Sequence, residues 1–388
     1  MRVLSICLAL AAGEFAASFA PTAAEAWPVA AVAALLVALF GHGLAVRGWQ
    51  LPAVFLVGAA LFLAASVEGE RQFRESPWMR QARRRPQQEH GPQVQWARSV
   101  KLDFARRIGL GLEHDREVVA LNRAILLGER KALPRRTRQA FVDSGTMHVF
   151  AISGLHVMAV ASVLVYLLAI LFVPRRIAGA AAVPILWGYV YLIGASPSAV
   201  RAALMATFYY SAPLVWRRPN GLRSWELAFL TVHLIRPTVI SDVGNALSFS
   251  VMLAIVLVGE RCRASGLKGT VLTGGAAWAA GVPIAAHVFG CVTPGGMLAN
   301  LVLIFAAKLV VVSGLTGVLV SYVSVTLAVH LNNLAAQVTW SMVGVSEAIS
   351  RLPGASFEVG RWSLLQCAEW YVMIVLVGFL IVRRGKMI

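Results

Sequence analysis

An apolar segment of this chain opens with Ser144-Gly145-Thr146-Met147-His148-Val149-Phe150-Ala151-Ile152-Ser153-Gly154-Leu155-His156-Val157, and the other features of the sequence are arranged around it. Serines, glycines and two histidines are unusual in such an apolar run. If one helix ran through it at 100° per residue, half of its circumference would carry the polar and small residues Ser144, Gly145, His148, Ser153 and His156. The stretch therefore predicts a membrane helix with one polar, small face.

The composition is that of a protein that crosses a membrane several times. Of the 388 residues, 58% are hydrophobic and only 14% are charged, which does not fit a soluble domain. The formal net charge of +17 suits anionic lipid as well as DNA, so charge alone selects no partner. No metal-binding spacing or cofactor motif is found among the cysteines, which are Cys7, Cys262, Cys291 and Cys367.

Apolar runs long enough to cross a bilayer recur along most of the chain. A crossing needs about 20 apolar residues, and such runs predict an all-α, polytopic membrane helix bundle with about 10 to 12 transmembrane helices. The predicted spans are residues 3–20, 28–46, 50–67, 147–173, 177–194, 199–215, 225–240, 244–259, 270–290 and 363–382. The first of them is either a signal anchor or a cleaved signal peptide.

Residues 297–330 form an apolar run that is too long for one ordinary span. Within this run, Lys308 is followed by Ser313-Gly314. We expect a pair of short helices here, joined by a turn near the cytoplasm.

The sequence divides into three predicted parts. Residues 1–67 hold N-terminal transmembrane segments, residues 68–143 form a basic linker, and residues 144–388 form a polytopic domain. Apolar positions in the linker recur at helical intervals from Gln95 to Leu127, which predicts an amphipathic helix there.

A second amphipathic helix is predicted late in the chain, at the outer membrane interface or along a cavity. Its apolar stripe consists of Leu331, Leu334, Val338, Met342, Val345, Ile349 and Leu352. The opposite face carries Asn332, Asn333, Gln337, Ser341 and Arg351.

Lysine and arginine mark alternate loops, which predicts the orientation of the chain in its membrane. Basic residues follow the spans that end before 175, 217 and 261, whereas the loops at 194–198, 237–244 and 289–296 carry none. Because basic loops stay in the cytoplasm, we expect residues 68–143 to be extracytoplasmic and the C-terminus to be cytoplasmic.

Polar residues within the predicted spans gather near their outer ends. Polar groups in a span tend to face a bundle interior or an aqueous cavity, so this pattern predicts an outward-facing polar vestibule. The candidate residues are His148, Ser153, His156, Ser198, Arg201, Asn245, Ser248, His287 and Asn300. The alternative is that each side chain only bonds neighbouring helices to one another, and that Arg201 reaches outward to lipid headgroups.

The chain contains Gly128-Glu129-Arg130 and, after it, Ser144-Gly145-Thr146-Met147-His148 running into Ser153-Gly154-Leu155-His156. These two motifs, in this order, resemble the ComEC family competence domain, the inner-membrane DNA channel of natural transformation. Further segments resemble the family in the same order: Gly194 through Ala202, Asp242 through Phe249, Pro294 through Asn300, and Leu352-Pro353-Gly354-Ala355. The resemblance covers about residues 93–382.

The resemblance implies a channel that carries one strand of DNA to the cytoplasm and no catalytic, metal or cofactor site. Full-length family members resemble a three-part machine, and we expect this chain to lack both the oligonucleotide-binding domain and the metallo-β-lactamase-like domain. The implied partners are single-stranded DNA, anionic lipid, separate nuclease, DNA-receptor and helicase-type proteins, and a second copy of the chain.

In the mechanism that this resemblance implies, Arg201 contacts phosphates at the mouth, and polar residues line the route. Two other hypotheses remain open. The first is an intramembrane serine hydrolase that uses Ser153 with His148, His156 or His287, because a nucleophile and a base are the minimum for such chemistry. The second is a transporter of a substrate other than DNA.

Overall fold

The structure is a computed structural model that describes residues 92–150, 154–235, 239, 242–262 and 266–384. The predicted spans at 3–20, 28–46 and 50–67, the choice between signal anchor and cleaved signal, and Ser153 lie outside the described residues. The helices in the described part are α1 (Pro92–Ile108), α2 (Arg116–Leu127), α3 (Arg135–Asp143), α4 (Gly154–Ile170), α5 (Arg175–Leu192), α6 (Pro197–Ser211), α7 (Gly221–Ile235), α8 (Val243–Cys262), α9 (Gly266–Phe289), α10 (Pro294–Val320), α11 (Val325–Ser350) and α12 (Leu364–Arg384).

Short elements complete the described part of the chain. Three 3-10 helices lie at Arg130–Ala132, Met147–Val149 and Ala212–Val215. Two strands of two residues each, β1 and β2, lie at Cys291–Val292 and Phe357–Glu358.

The all-α membrane fold class is confirmed. Three described helices are long and apolar enough to cross a membrane, namely Val243–Glu260, Gly266–Phe289 and Pro294–Val320. Shorter apolar helices lie at His156–Ile170, Ile177–Leu192 and Leu364–Ile374. The total number of spans stays a prediction, because three of the predicted spans are among the residues that the structure does not describe.

The described chain forms two compact units. Unit 1 contains Trp225–Val292 and the residues from Glu358 onward, and unit 2 contains the residues up to Ser224 together with Thr293–Phe357. The division into parts at residues 67 and 143 stays a prediction.

The centre of unit 2 is the pair of helices α10 and α11, which pack against each other. Residues 92–146 pack along this pair. Near the end of α10, Arg107 Nη1 donates to Ser321 Oγ at 2.9 Å. Near its start, a Cβ atom added at Gly296 would lie 3.4 Å from the Ser144 carbonyl oxygen. Because these two points are roughly 38 Å apart along a helix that rises 1.5 Å per residue, residues 92–146 extend over the length of α10.

Helix α11 binds this segment through polar side chains spaced two helical turns apart, at Asn332, Thr339 and Ser346, which are all buried. Asn332 Nδ2 donates to the Arg107 carbonyl oxygen at 2.8 Å. Thr339 Oγ1 donates to Asn122 Oδ1 at 2.6 Å. Ser346 Oγ lies 3.4 Å from Thr146 Oγ1. A seven-residue spacing keeps the three on one helix face, so together they join α11 to the segment along most of its length.

The prediction of one helix from Gln95 to Leu127 was wrong in one respect, since two helices cover this region. The break between α1 and α2 contains Gly111, whose φ is +77°. A Cβ atom at Gly111 would lie 2.5 Å from Val329 Cγ1 on α11. The chain therefore turns where it meets α11 closely, and only glycine tolerates both that dihedral angle and that contact.

The prediction of a short helix pair within residues 297–330 was also wrong, because α10 continues through Ser313-Gly314 without a break. Ser313 Oγ donates to the Leu309 carbonyl oxygen of its own helix at 2.6 Å. A Cβ atom at Gly314 would lie 2.6 Å from Leu126 Cδ1. Gly314 is thus a packing position for the Leu126 side chain and not a turn.

The late amphipathic helix is present as α11, but its buried face differs from the predicted apolar stripe. Asn332, which belongs to the predicted polar face, is 1% exposed, whereas Leu334 of the apolar stripe is 41% exposed. The buried face consists mostly of small and polar residues, which allows α10 and residues 92–146 to approach closely.

Unit 1 is built from the C-terminal part of α7 and from α8, α9 and α12. Helices α8 and α9 pack together, and α12 packs on α9. Tyr371 on α12 donates its hydroxyl to the Ala280 carbonyl oxygen at 3.0 Å. The Trp225 and Phe229 rings are stacked, and both make edge contacts with Phe249 on α8. These contacts position His233 and Asn245, which are described below.

Candidate functional site

The signature stretch does not form the single helix that its periodicity predicts, because α3 ends at Asp143 and the chain turns at Gly145. Gly145 N–H donates to the Val142 carbonyl oxygen at 2.9 Å, and Thr146 N–H donates to the Phe141 carbonyl oxygen at 2.8 Å. This pair of bonds is a Schellman motif, which satisfies carbonyl groups at a helix end and requires a left-handed residue. Gly145 supplies that residue, with φ +72°.

Ser144 and Thr146 are structural residues of this helix end. Both side chains are fully buried, and Ser144 Oγ lies 2.7 Å from Thr146 Oγ1. Gly145 between them meets the N-terminal end of α10, where a Cβ atom would lie 2.5 Å from Thr293 Oγ1. The small residues of the signature therefore let two backbone segments touch.

After this turn, a 3-10 helix at Met147–Val149 presents His148. The His148 side chain is exposed and interacts with the Gly145 backbone and with the Asn300 side chain on α10. His156 follows on α4, where it is 1% exposed and lies within electrostatic range of His148. The two histidines are therefore close, although they do not share a helix face.

Arg130 joins this group from the first motif. Gly128 caps α2 with φ +73°, and the following 3-10 helix carries Arg130 to within electrostatic range of His156. Arg130 is exposed and is close enough to the exposed Arg138 for the two positive charges to repel. We call Arg130, Arg138, His148, His156 and Asn300 the signature cluster.

Sequence reasoning did not select Arg130 or Arg138 as site residues. Arg130 belongs to the quoted motif, so the signal was available, but only the fold brings it to His156. The neighbouring Glu129 is paired with Lys101 of α1 at 3.5 Å, which holds this turn in place.

Arg201 and Ser198 lie on α6 of the same unit. Arg201 is 5% exposed, so its side chain lies in the interior of unit 2. Helix α6 packs against α4, which carries His156. Ser198 lies in the first turn of α6, with its hydroxyl oxygen 3.4 Å from Ser196 Oγ.

The remaining candidates belong to unit 1. Asn245 is 2% exposed, and its Nδ2 lies 3.2 Å from His233 Nε2. His233 Nδ1 lies 2.8 Å from the Phe229 carbonyl oxygen, a contact in which the ring nitrogen is the donor. Nε2 is then the acceptor from Asn245. Sequence reasoning missed His233, because nothing in its apolar helix distinguishes it from a packing residue.

His287 and Ser248 are also residues of unit 1. His287 Nδ1 lies 2.7 Å from the Trp362 carbonyl oxygen, which ties the end of α9 to the segment before α12. Ser248 is half-buried on α8, one turn after Asn245. Of the nine predicted residues, the described structure thus brings together His148, His156 and Asn300, and it places Ser198 and Arg201 in the same unit.

Within the residues that the structure describes, no three His, Cys, Asp or Glu side chains form a group that could hold a metal ion. The side chains of the signature cluster are guanidinium, imidazole and amide groups. Such groups donate hydrogen bonds to anions and suit contacts with phosphate oxygens.

These features define a helical, polytopic membrane protein in which arginine and histidine side chains lie near the turn at Gly145. The chain belongs to the ComEC family of competence proteins, since the family model described as "Competence protein" matches residues 125–384.

Two relatives support this membership. The chain is 33% identical over 134 residues to ComE operon protein 3 of Bacillus subtilis (strain 168), a match that covers 34% of this chain and 17% of that protein. It is 32% identical over 174 residues to competence protein ComA of Neisseria gonorrhoeae, covering 42% of this chain and 24% of that protein. The matches therefore span less than a quarter of either relative. No solved structure matches the chain.

Proposed function

We propose that this protein is an inner-membrane permease through which single-stranded DNA passes during competence. The observation that carries the proposal is the signature cluster, where exposed Arg130, Arg138 and His148 lie beside the turn at Gly145. Family membership and the two competence relatives support it.

The cluster suits a strand of DNA because each nucleotide carries one negative charge. Arg130 and Arg138 are exposed and repel each other, so a phosphate between them relieves that repulsion. His148 and Asn300 offer ring and amide N–H groups next to it. We assign the first phosphate contacts to Arg130 and Arg138, and the interior of the route to the buried His156 and Arg201.

The proposal includes the protein's location, its orientation in the membrane and its partners. We place the chain in the bacterial inner membrane with its C-terminus in the cytoplasm and residues 68–143 outside. Anionic lipid, separate nuclease, DNA-receptor and helicase-type proteins, and a second copy of the chain are its proposed partners. Ser198, Asn245, Ser248 and His287, together with Ser153, are proposed to shape the route.

The test is uptake of labelled DNA into the cytoplasm of the source organism. A deletion strain, a strain with Arg201→Ala and His156→Ala, and a strain with Arg130→Ala are compared with wild type. Arg135→Ala is the matched control, because Arg135 is also exposed and lies on α3 outside the cluster. We expect label to remain at the surface in the first three strains and to reach the cytoplasm in the control.

Unchanged uptake in the deletion strain would falsify the permease proposal. The two remaining hypotheses would then be a transporter of another substrate and an intramembrane serine hydrolase. A serine-directed covalent probe distinguishes these two, because only a hydrolase that uses Ser153 loses its labelling in a Ser153→Ala variant.

A further inference from the structure

A second feature of unit 2 lies outside the signature cluster. The turn between α1 and α2 and the facing part of α11 enclose an open groove of about 450 Å³. Its lining combines the polar side chains of His114, His330, Asn333 and Gln337 with apolar side chains that include Leu112 and Trp340. A groove of this volume is within the range of small-molecule sites in proteins.

The Trp340 ring is fixed in place by Asp115. Trp340 Nε1 donates to Asp115 Oδ2 at 2.9 Å, while Asp115 Oδ1 accepts from the Val118 N–H at 3.0 Å and caps α2. The Asp115 carboxylate is therefore used within the protein. Trp340 nevertheless stays 40% exposed, so its ring is accessible from the groove.

The amide side chains of the groove are available to a ligand. Within the part of the chain that the structure describes, Asn333 and Gln337 make no side-chain hydrogen bond, and neither does the exposed His330. Asn333 and Gln337 are four residues apart on α11 and so lie on one face. Among the described residues that line the groove there is no lysine or arginine.

These properties select the ligand class. An aromatic ring held at an edge, next to amide groups, fits a flat molecule with donors and acceptors on its rim, and nucleobases stack on aromatic side chains in this way. Asparagine and glutamine pair with base edges. A phosphate or a lipid headgroup would call for lysine or arginine side chains, and the described lining has neither.

We propose that this groove binds a nucleobase, supplied by the single strand of the proposed function on which this inference rests. The groove then holds a base while the signature cluster holds phosphates. Binding at the groove depends on the presence of bases and is insensitive to salt, whereas binding at the cluster depends on charge and weakens with salt.

The experiment uses the full-length protein in lipid nanodiscs and two fluorescent oligonucleotides of equal length, oligo(dT) and its abasic counterpart. Both carry the same phosphate charge, so any difference in their affinity reports contacts with bases. We expect wild type to bind oligo(dT) about tenfold more tightly, which is within the range of one base stacked on an aromatic side chain.

Trp340→Ala and, independently, Gln337→Ala are expected to reduce that preference without changing the salt dependence of binding. Gln337→Ala is not expected to disturb the fold, because Gln337 is exposed and makes no side-chain hydrogen bond within the described residues. Trp96→Ala is the matched control, since Trp96 is 64% exposed on α1 and does not line the groove. Thymidine monophosphate is titrated in parallel, and binding of the monomer without binding of oligo(dT) would overturn the proposal that a strand supplies the base.

If both variants keep the full preference for oligo(dT), the groove does not bind bases, and the permease proposal stands unaffected. If wild type binds neither oligonucleotide, the permease proposal fails, and this inference fails with it.

Discussion

The Arg107 guanidinium lies over the Tyr322 ring at 3.5 Å from its centroid, which joins α1 to the turn between α10 and α11. Arg107 Nε also donates to Asp103 Oδ2 at 2.7 Å, and the Tyr322 hydroxyl donates to the same oxygen at 2.7 Å. Three side chains thus hold each other at the point where residues 92–146 meet the end of α10.

The first prediction concerns this group. Arg107→Ala removes a stacked cation and its side-chain hydrogen bonds to Asp103 and Ser321, so we expect a lower Tm in detergent or nanodiscs. Arg107→Lys keeps the positive charge but lacks the planar guanidinium group with its several N–H donors. Its Tm is therefore expected to lie between those of Arg107→Ala and wild type. The neighbouring, exposed Arg106→Ala is the control, and an equal loss of Tm there would contradict the assignment.

The same group has a pH dependence. The hydrogen bond from Arg107, followed by that from Tyr322, holds the pKa of Asp103 below its ordinary value of 3.8. A lowered folded-state pKa contributes stability above the unfolded value and loses it as pH falls through the folded one. Wild type is therefore expected to lose more Tm than Asp103→Asn below pH 3.8, and parallel curves would contradict this.

Gly145 gives a prediction about stability. Gly145→Ala adds a Cβ atom at φ +72° and 2.5 Å from Thr293 Oγ1, so we expect a loss of more than about 1–2 kcal/mol, the cost of the left-handed backbone alone. Gly344→Ala is the matched control. It lies in helix α11 with open space around its Cβ position, so alanine is expected to stabilise by about 0.5–1 kcal/mol.

Buried polar pairing on α11 gives another prediction. Thr339→Val leaves the buried Asn122 oxygen without its donor, which costs about 1–3 kcal/mol. In the double variant with Asn122→Leu both partners are apolar, and we expect much of the loss to be recovered. A double-mutant cycle on unfolding measures this, and strictly additive losses would show that the pair is not coupled.

The Arg130 prediction concerns DNA binding. Removing one phosphate interaction with a single strand lowers the slope of log K against log salt by about 0.7. Arg130→Ala is expected to change the slope by about that amount, and Arg135→Ala, outside the cluster, is expected to leave it unchanged. Equal slopes for Arg130→Ala and wild type would remove Arg130 from the phosphate path.

The orientation of unit 2 is tested by thiol labelling. The end of α1 contacts Ser321 and Tyr322 in the turn after α10, so Trp96 on α1 and Val323 in that turn are expected to lie outside together if residues 68–143 are outside. In a background with the native cysteines replaced, Trp96→Cys and Val323→Cys are both expected to react with an impermeant reagent in intact cells. Labelling only after permeabilisation would place the segment in the cytoplasm.

Much of the helical architecture could be predicted from the sequence, because a run of apolar residues in lipid must satisfy its backbone within one helix. The predicted spans 177–194 and 270–290 correspond to α5 and α9 within a few residues. Two of the errors concern glycines. Gly111 ends a helix because Val329 is close to it, and Gly314 does not end one because Leu126 occupies its surface.

The site was only partly predictable for a similar reason. His148 and His156 were selected because polar residues are unusual in apolar runs, and this property is visible in the sequence. Arg130 looked like one of many loop arginines until the cap at Gly128 carried it towards His156. His156 lies 26 positions after Arg130 in the sequence, and no helical or strand periodicity relates the two residues.

The bonds between residues 92–146 and the helix pair α10 and α11 join positions 200 to 225 apart in sequence. During synthesis, the first partners leave the ribosome long before the second ones exist. Asn122 and Thr146 are both buried in the finished protein. They therefore lack their hydrogen bonds to α11 while the intervening helices are inserted. Assembly of unit 2 is thus completed late, because a chain stopped before α11 lacks the hydrogen-bond partners of Asn122 and Thr146.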